Sequence, residues 1–147
     1  MASSFTVRLP WPPSVNHYWG NRIVHTGHRR AFIQTYIGAR GKEFREAVEL
    51  VIRDRFGGIP SPLTERLHVT ILATMPDRRE RDLDNISKGI LDALTHVRLW
   101  DDDSQIDHIE VIRGGIKAPG YVDVCVRLAE KQPDEQRVLF QGSENQS

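Results

Sequence analysis

An α+β fold, a single mixed β-sheet backed by two helices, is predicted by three features of this 147-residue chain. Two stretches place apolar side chains at helical spacing. Four others run or alternate as strands do. These segments follow one another in the order β-α-β-α-β-β, which suits a mixed sheet with its helices on one side. The length corresponds to one domain with a modest core, read as residues 1–130, with residues 131–147 as a disordered tail.

Phe5 to Leu9 alternates as a strand and is stopped by Pro10, Pro12 and Pro13. The stretch from there to about Ile37 is rich in His, Gly, Asn and Arg and reads as a long loop with room for a short hairpin within it; loops of that length in a small domain tend to be functional or disordered. From Arg40 to Phe56, the residues Phe44, Ala47, Val48, Val51 and Ile52 recur at helical spacing, and Gly57, Gly58 and Pro60 end the helix. Leu67 to Thr74 is the next strand, with Leu67, Val69, Ile71 and Ala73 on one face. Ile86, Ile90, Leu91 and Leu94 mark a second helix ending near His96, with Asp82 or Asp84 as its expected N-cap. Ile106–Arg113 and Tyr121–Leu128 complete the sheet across a Gly-rich connection. Beyond Lys131 the apolar pattern stops. There Val138-Leu139-Phe140-Gln141-Gly142-Ser143 looks like a viral-protease recognition remnant, with a native end as the alternative.

Composition narrows the class. Apolar residues make up 39% of the chain and charged residues 27%, an ordinary globular balance. No segment approaches the roughly 18 apolar residues of a membrane span, the N-terminus lacks a signal-peptide pattern, and the single cysteine, Cys125, excludes an internal disulfide. The expected location is the cytoplasm. Net charge is zero, but it is unevenly spread. Arg22 to Arg45 holds six basic residues against one acid, and Asp101 to Glu110 holds five acids and no Lys or Arg. A basic region opposite an acidic pocket that a cation would neutralise suits an enzyme of phosphodiesters; unevenly charged solvated surface is the plainer alternative.

The run Met75-Pro76-Asp77-Arg78-Arg79-Glu80-Arg81-Asp82-Leu83-Asp84-Asn85 carries the most chemistry. Carboxylates converging where a strand meets a helix suit a hard divalent cation, which takes oxygen ligands. The neighbouring arginines suit an anionic substrate such as phosphate. Asp84, Lys88 and Asp92 are spaced by four and share a helix face, so a capped helix with a solvated ion-pair ladder is the plain alternative. Asp82 has no place in such a ladder. Asp101-Asp102-Asp103 is either an exposed turn or the completion of a metal site begun by Asp82 and Asp84. The six histidines lack zinc-helix spacing, and neither a phosphate-binding GxxxxGK loop nor a GxSxG elbow is present.

Taken together, these motifs resemble those of the RusA-type Holliday-junction resolvases. The resemblance rests on Leu9-Pro10-Trp11-Pro12-Pro13-Ser14-Val15-Asn16, on Asp77-Arg78-Arg79 with Arg81-Asp82-Leu83-Asp84-Asn85, on Lys88 and Asp92-Ala93-Leu94, and on Trp100 with Asp102-Asp103 and Gln105. It covers about Phe5 to Leu128. It implies a RusA-like fold and a homodimeric, Mg2+-dependent endonuclease, with Mn2+ as a possible substitute. Such an enzyme would place paired symmetric nicks in four-way DNA junctions during recombination and repair, in a bacterial or phage setting. It also implies Asp82, Asp84 and Asp103 as catalytic metal ligands and Lys88 as a catalytic lysine, with spacing from Trp100 favouring Asp103 over its neighbours. Arg78, Arg79 and Arg81 would contact DNA phosphates, together with Arg29, Arg30 and Lys42 of the basic region. The stretch from Arg22 to Ile37 is longer than the family usually has. A junction-binding protein without catalysis, a metal-dependent nucleotide hydrolase and a purely structural protein are the competing classes.

Overall fold

The computed structural model describes residues 4–27 and 30–129; Arg29 and the stretch read as a tail lie outside them. A four-stranded sheet is built from β1 (Ser4–Pro10), β4 (Leu67–Met75), β5 (Ile106–Ile116) and β6 (Tyr121–Leu128). Its spatial order is β1-β6-β4-β5. β6 runs antiparallel to both β1 and β4, and β5 runs parallel to β4, so the sheet is mixed as expected. The parallel pair needs a crossover, and α3 (Asp84–His96) supplies it. The long helix α2 (Ala39–Phe56) links the N-terminal region to β4 and packs on β1.

One sheet face is continuously apolar. Val7 and Leu9, Val122, Val124 and Val126, and Leu67, Val69, Ile71 and Ala73 are all buried. Phe44, Val48 and Ile52 from α2, with Ile86, Ile90, Ala93 and Leu94 from α3, cover that face. Strand period two and helix period 3.6 thus meet across one interface, as the sequence pattern requires. The alternate residues of β4, β6 and β1, among them His68, Thr70, Asp123, Cys125 and Arg8, lie on the other face. There Arg8 pairs with Asp123 at 2.8 Å and sits over the Tyr121 ring.

Three expectations change. The stretch read chiefly as a loop contains a four-residue helix, α1 (Val15–Tyr18), and a hairpin of β2 (Trp19–His25) with β3 (Ala31–Ile37). Both faces of this hairpin meet solvent, with Ile23, Phe32 and Ile33 exposed, so it carries no half-buried alternation to read. The N-cap of α3 is Leu83, and neither Asp82 nor Asp84 caps it through its side chain; Asp84 is instead the first helical residue, where its charge favours the positive helix end. β5 runs three residues beyond the expected Arg113, to Ile116.

Tyr18 locks the N-terminal region onto both long helices. It is fully buried, and its carbonyl accepts the Gly38 N–H at 2.9 Å just before α2 begins. A Cβ on Gly41 would sit 2.5 Å from that carbonyl oxygen, and a Cβ on Gly89 would sit 3.0 Å from the Tyr18 ring. Helix propensity alone would make Gly41→Ala stabilising by about 1 kcal/mol. Overpacking against fixed backbone costs about 1–3 kcal/mol and outweighs it. Gly41→Ala is therefore expected to lower the urea midpoint with an unchanged slope; a raised midpoint would show that α2 does not pack this closely on Tyr18.

Candidate active site

The aspartate motif lies where β4 hands over to α3. Asp77 accepts the Arg79 N–H at 2.9 Å and is gripped by Arg81 through both carboxylate oxygens. The Arg81 guanidinium holds the Asp77 carboxyl down to about 2, with the Arg79 N–H adding to it. Arg81 in turn lies 5.9 Å from the Trp11 ring, and its carbonyl accepts a 2.6 Å bond from Arg113 of β5. This turn is therefore pinned at both ends before the chain enters α3.

Asp82, Asp84 and Lys88 follow, all exposed. The ion-pair ladder along α3 does not form. Among the described residues none of the three makes an ion pair within 4 Å. The Lys88 Nζ lies instead over the Trp19 ring, 5.7 Å from its centroid. Asp92, the third residue of that alternative ladder, turns toward α2: its Oδ2 accepts Arg45 Nε at 2.9 Å and Arg45 Nη2 at 2.7 Å, and it also accepts the Tyr18 hydroxyl. Burial, followed by the hydrogen bond to the Asp92 carboxylate, pushes the Tyr18 hydroxyl well above the usual phenol range.

The acidic turn after α3 is held from the other side. Trp100 is fully buried, and its indole N–H donates to Thr95 Oγ1 at 2.7 Å. Gln105 is the buried polar residue of the core. Its amide nitrogen donates to the Leu63 and Glu65 carbonyls, both at 2.9 Å, and its Oε1 accepts the Asp102 N–H at 2.8 Å. A short 3-10 turn (Asp103–Gln105) results, and it packs against α3. Its carboxyls are shifted in opposite directions. The Ser104 hydroxyl stabilises ionised Asp102 and lowers its carboxyl, whereas partial burial raises that of Asp103, reinforced by the Asp102 and Asp92 carboxylates. Asp101 is drawn off by Arg98 at 3.0 Å.

The donor chemistry suits a hard cation: exposed carboxylates without ion pairs on one side, and a carboxyl under like-charge pressure on the other. The described residues hold no group of three or more His, Cys, Asp or Glu side chains placed to hold a metal, so Asp82, Asp84 and Asp103 do not form a closed cage within the single chain. Mg2+ commonly takes one or two carboxylates and fills its remaining positions with water and substrate phosphate, so a closed cage is not what such a site requires.

The expected DNA-contacting residues differ in their freedom. Arg78, Arg30 and Lys42 are exposed, and Arg79 is exposed with only a 4.0 Å approach to Asp77. Arg81 is three-quarters buried and already paired. Sequence reasoning gave no role to Arg113 or Trp19 and named Trp11 only within the Pro-rich opening, because their connection to the motif is purely spatial. It offered the ladder as the plain alternative for Asp92, whose partner, Arg45, lies on another helix.

The raised Asp103 carboxyl carries a stability signature. A group raised in the folded state favours folding less once it ionises, so metal-free Asp103→Asn should melt above the wild type at pH 7. The difference should shrink as the pH falls through the carboxylate range and the native side chain takes up its proton. A lower melting temperature for Asp103→Asn at pH 7 would contradict this charge balance.

Comparison with known proteins identifies the family. The family model described as "Endodeoxyribonuclease RusA" matches residues 10–127. A crossover junction endodeoxyribonuclease rusA of Enterobacteria phage HK97 is 44% identical over 112 residues, 76% of this chain and 83% of the relative. Crossover junction endodeoxyribonucleases RusA of Shigella sonnei and Escherichia coli K12 are 33% and 32% identical over 124 residues, 84% of this chain and 94% of each relative. Nucleases of this kind typically need a divalent metal. The match spans both halves of the candidate site, from Trp11 through Asp103, and the chain belongs to the RusA endodeoxyribonuclease family.

Proposed function

We propose that the chain is a Mg2+-dependent, structure-selective endodeoxyribonuclease that resolves four-way DNA junctions by paired, symmetric nicks. The family it belongs to and the names of its relatives support phosphodiester hydrolysis on branched DNA. The observation that carries the reading is the exposed Asp82–Asp84–Lys88 set at the start of α3, without ion pairs among the described residues, with the Asp103 turn packed on the same helix. Solvated carboxylates left without counter-ions suit ligand binding better than stability.

In this reading Asp82, Asp84 and Asp103 would hold Mg2+, and the bound cation would supply polarisation of a phosphoryl oxygen and a water of lowered pKa. Lys88 offsets the negative charge that the phosphate gains in the transition state. Arg78 and Arg79 neutralise flanking phosphates, Arg29, Arg30 and Lys42 of the basic region serve as further phosphate contacts, and Arg81 holds the motif turn while lending its charge. Phosphate contacts carry little base information, so junction shape would dominate selectivity. Two matched nicks call for two sites, which a two-fold homodimer provides. No described helix is long and apolar enough to cross a membrane, and the cytoplasm, where the DNA substrate lies, is the proposed location. Residues 1–130 would form the nuclease domain.

Asp84→Asn tests the assignment. The variant should bind a four-way junction within about threefold of wild type, since binding rests on phosphate contacts, while single-turnover cleavage falls by about three orders of magnitude or more. Cleavage at the wild-type rate would remove Asp84 from the chemistry.

A further inference from the structure

We infer that Trp19 is a positioning residue for Lys88. The inference deepens the proposed function and rests on its reading of Lys88 as the lysine that offsets transition-state charge. Lysine carries its ammonium on a flexible four-carbon stem, and Lys88 projects from an exposed helix face with no ion pair among the described residues. Its Nζ lies 5.7 Å from the centroid of the Trp19 ring. An ammonium within about 6 Å of an indole face is drawn to the negative face of the ring, and indole attracts cations more strongly than the other aromatic side chains.

The platform is itself fixed. Trp19 opens β2 directly after α1, and its ring centroid lies 5.0 Å from that of Tyr18. Tyr18 is anchored to α3 by Asp92 and by close approach to Gly89, the residue beside Lys88. The contact that seats Tyr18 on α3 therefore also brings the indole alongside the lysine. The Trp19 Nε1 atom is buried without a hydrogen-bond partner among the described residues. A buried donor left unpaired is costly, and a phenyl ring would fill the same apolar space without that cost. What indole adds in return is the stronger cation-binding face.

The test compares Trp19→Phe, Trp19→Leu and Lys88→Met in single-turnover cleavage of a four-way junction with Mg2+, with junction affinity measured in EDTA. Trp19→Phe should cleave within about twofold of wild type and Trp19→Leu about fivefold more slowly, as the loss of a cation–π contact to an exposed lysine implies. Junction affinity should be unchanged in both. Wild-type cleavage by Trp19→Leu, or equal losses in the Phe and Leu variants, would overturn the inference. The proton resonance of the Lys88 ε-methylene, identified by its absence in Lys88→Met, gives a readout independent of activity. It should be shifted upfield by the indole ring current in the wild-type protein, and an unshifted resonance overturns the contact even if Trp19→Leu fails to fold. Wild-type cleavage by Lys88→Met together with a shifted resonance would instead overturn the catalytic reading of Lys88 and leave the contact standing.

Discussion

Three segments far apart in sequence meet at the Tyr18 hydroxyl. Tyr18 from α1 and Arg45 from α2 both donate to one oxygen of Asp92 on α3, so a single carboxylate ties the N-terminal region to both helices that cover the sheet. With side-chain exposures of 17% for Arg45 and 24% for Asp92, the pair is screened far less than a surface ion pair. Removing either partner would leave a partly buried charge without its counter-ion, which costs more than the intact pair contributes. The glycines at positions 41 and 89 let Tyr18 come close enough to make these bonds.

The site depends on that cluster. Asp84 and Lys88 stand on the same helix as Asp92, so locking Asp92 also fixes the rotation of α3 and the direction in which the exposed face points. Asp92 reaches the acidic turn as well, since its charge is among those that raise the Asp103 carboxyl. On the opposite side the turn is fixed by Gln105 and Trp100, which anchor it to the Leu63–Glu65 segment and to the end of α3. A rigid frame thus surrounds a small set of exposed carboxylates, the division of labour that a preorganised ion-binding site requires.

How much of this was legible in the sequence follows from what each segment buries. β4 alternates cleanly, with Leu67, Val69, Ile71 and Ala73 buried, and α2 and α3 show the helical period, so all three were readable. The β2–β3 hairpin buries neither face, and α1 is a single turn, so neither leaves a periodic signal. Strand order is a matter of long-range pairing: nothing local says that β6 inserts between β1 and β4. At the site, Asp82, Asp84, Lys88 and the acidic turn stood out as a local motif. The Tyr18–Arg45–Asp92 cluster, the Trp19 platform under Lys88 and the Arg113 contact to the motif turn were not readable, because each joins residues on different elements.

The proposed role of these carboxylates is metal-dependent cutting of branched DNA. Its most direct test is a gel assay on an end-labelled four-way junction, a plain duplex and a flap, each with Mg2+ and with EDTA. Paired, symmetric nicks are expected in the junction alone and only with Mg2+. Binding of the junction with no cleavage at any Mg2+ concentration, or equal cleavage of all three DNAs, would contradict it.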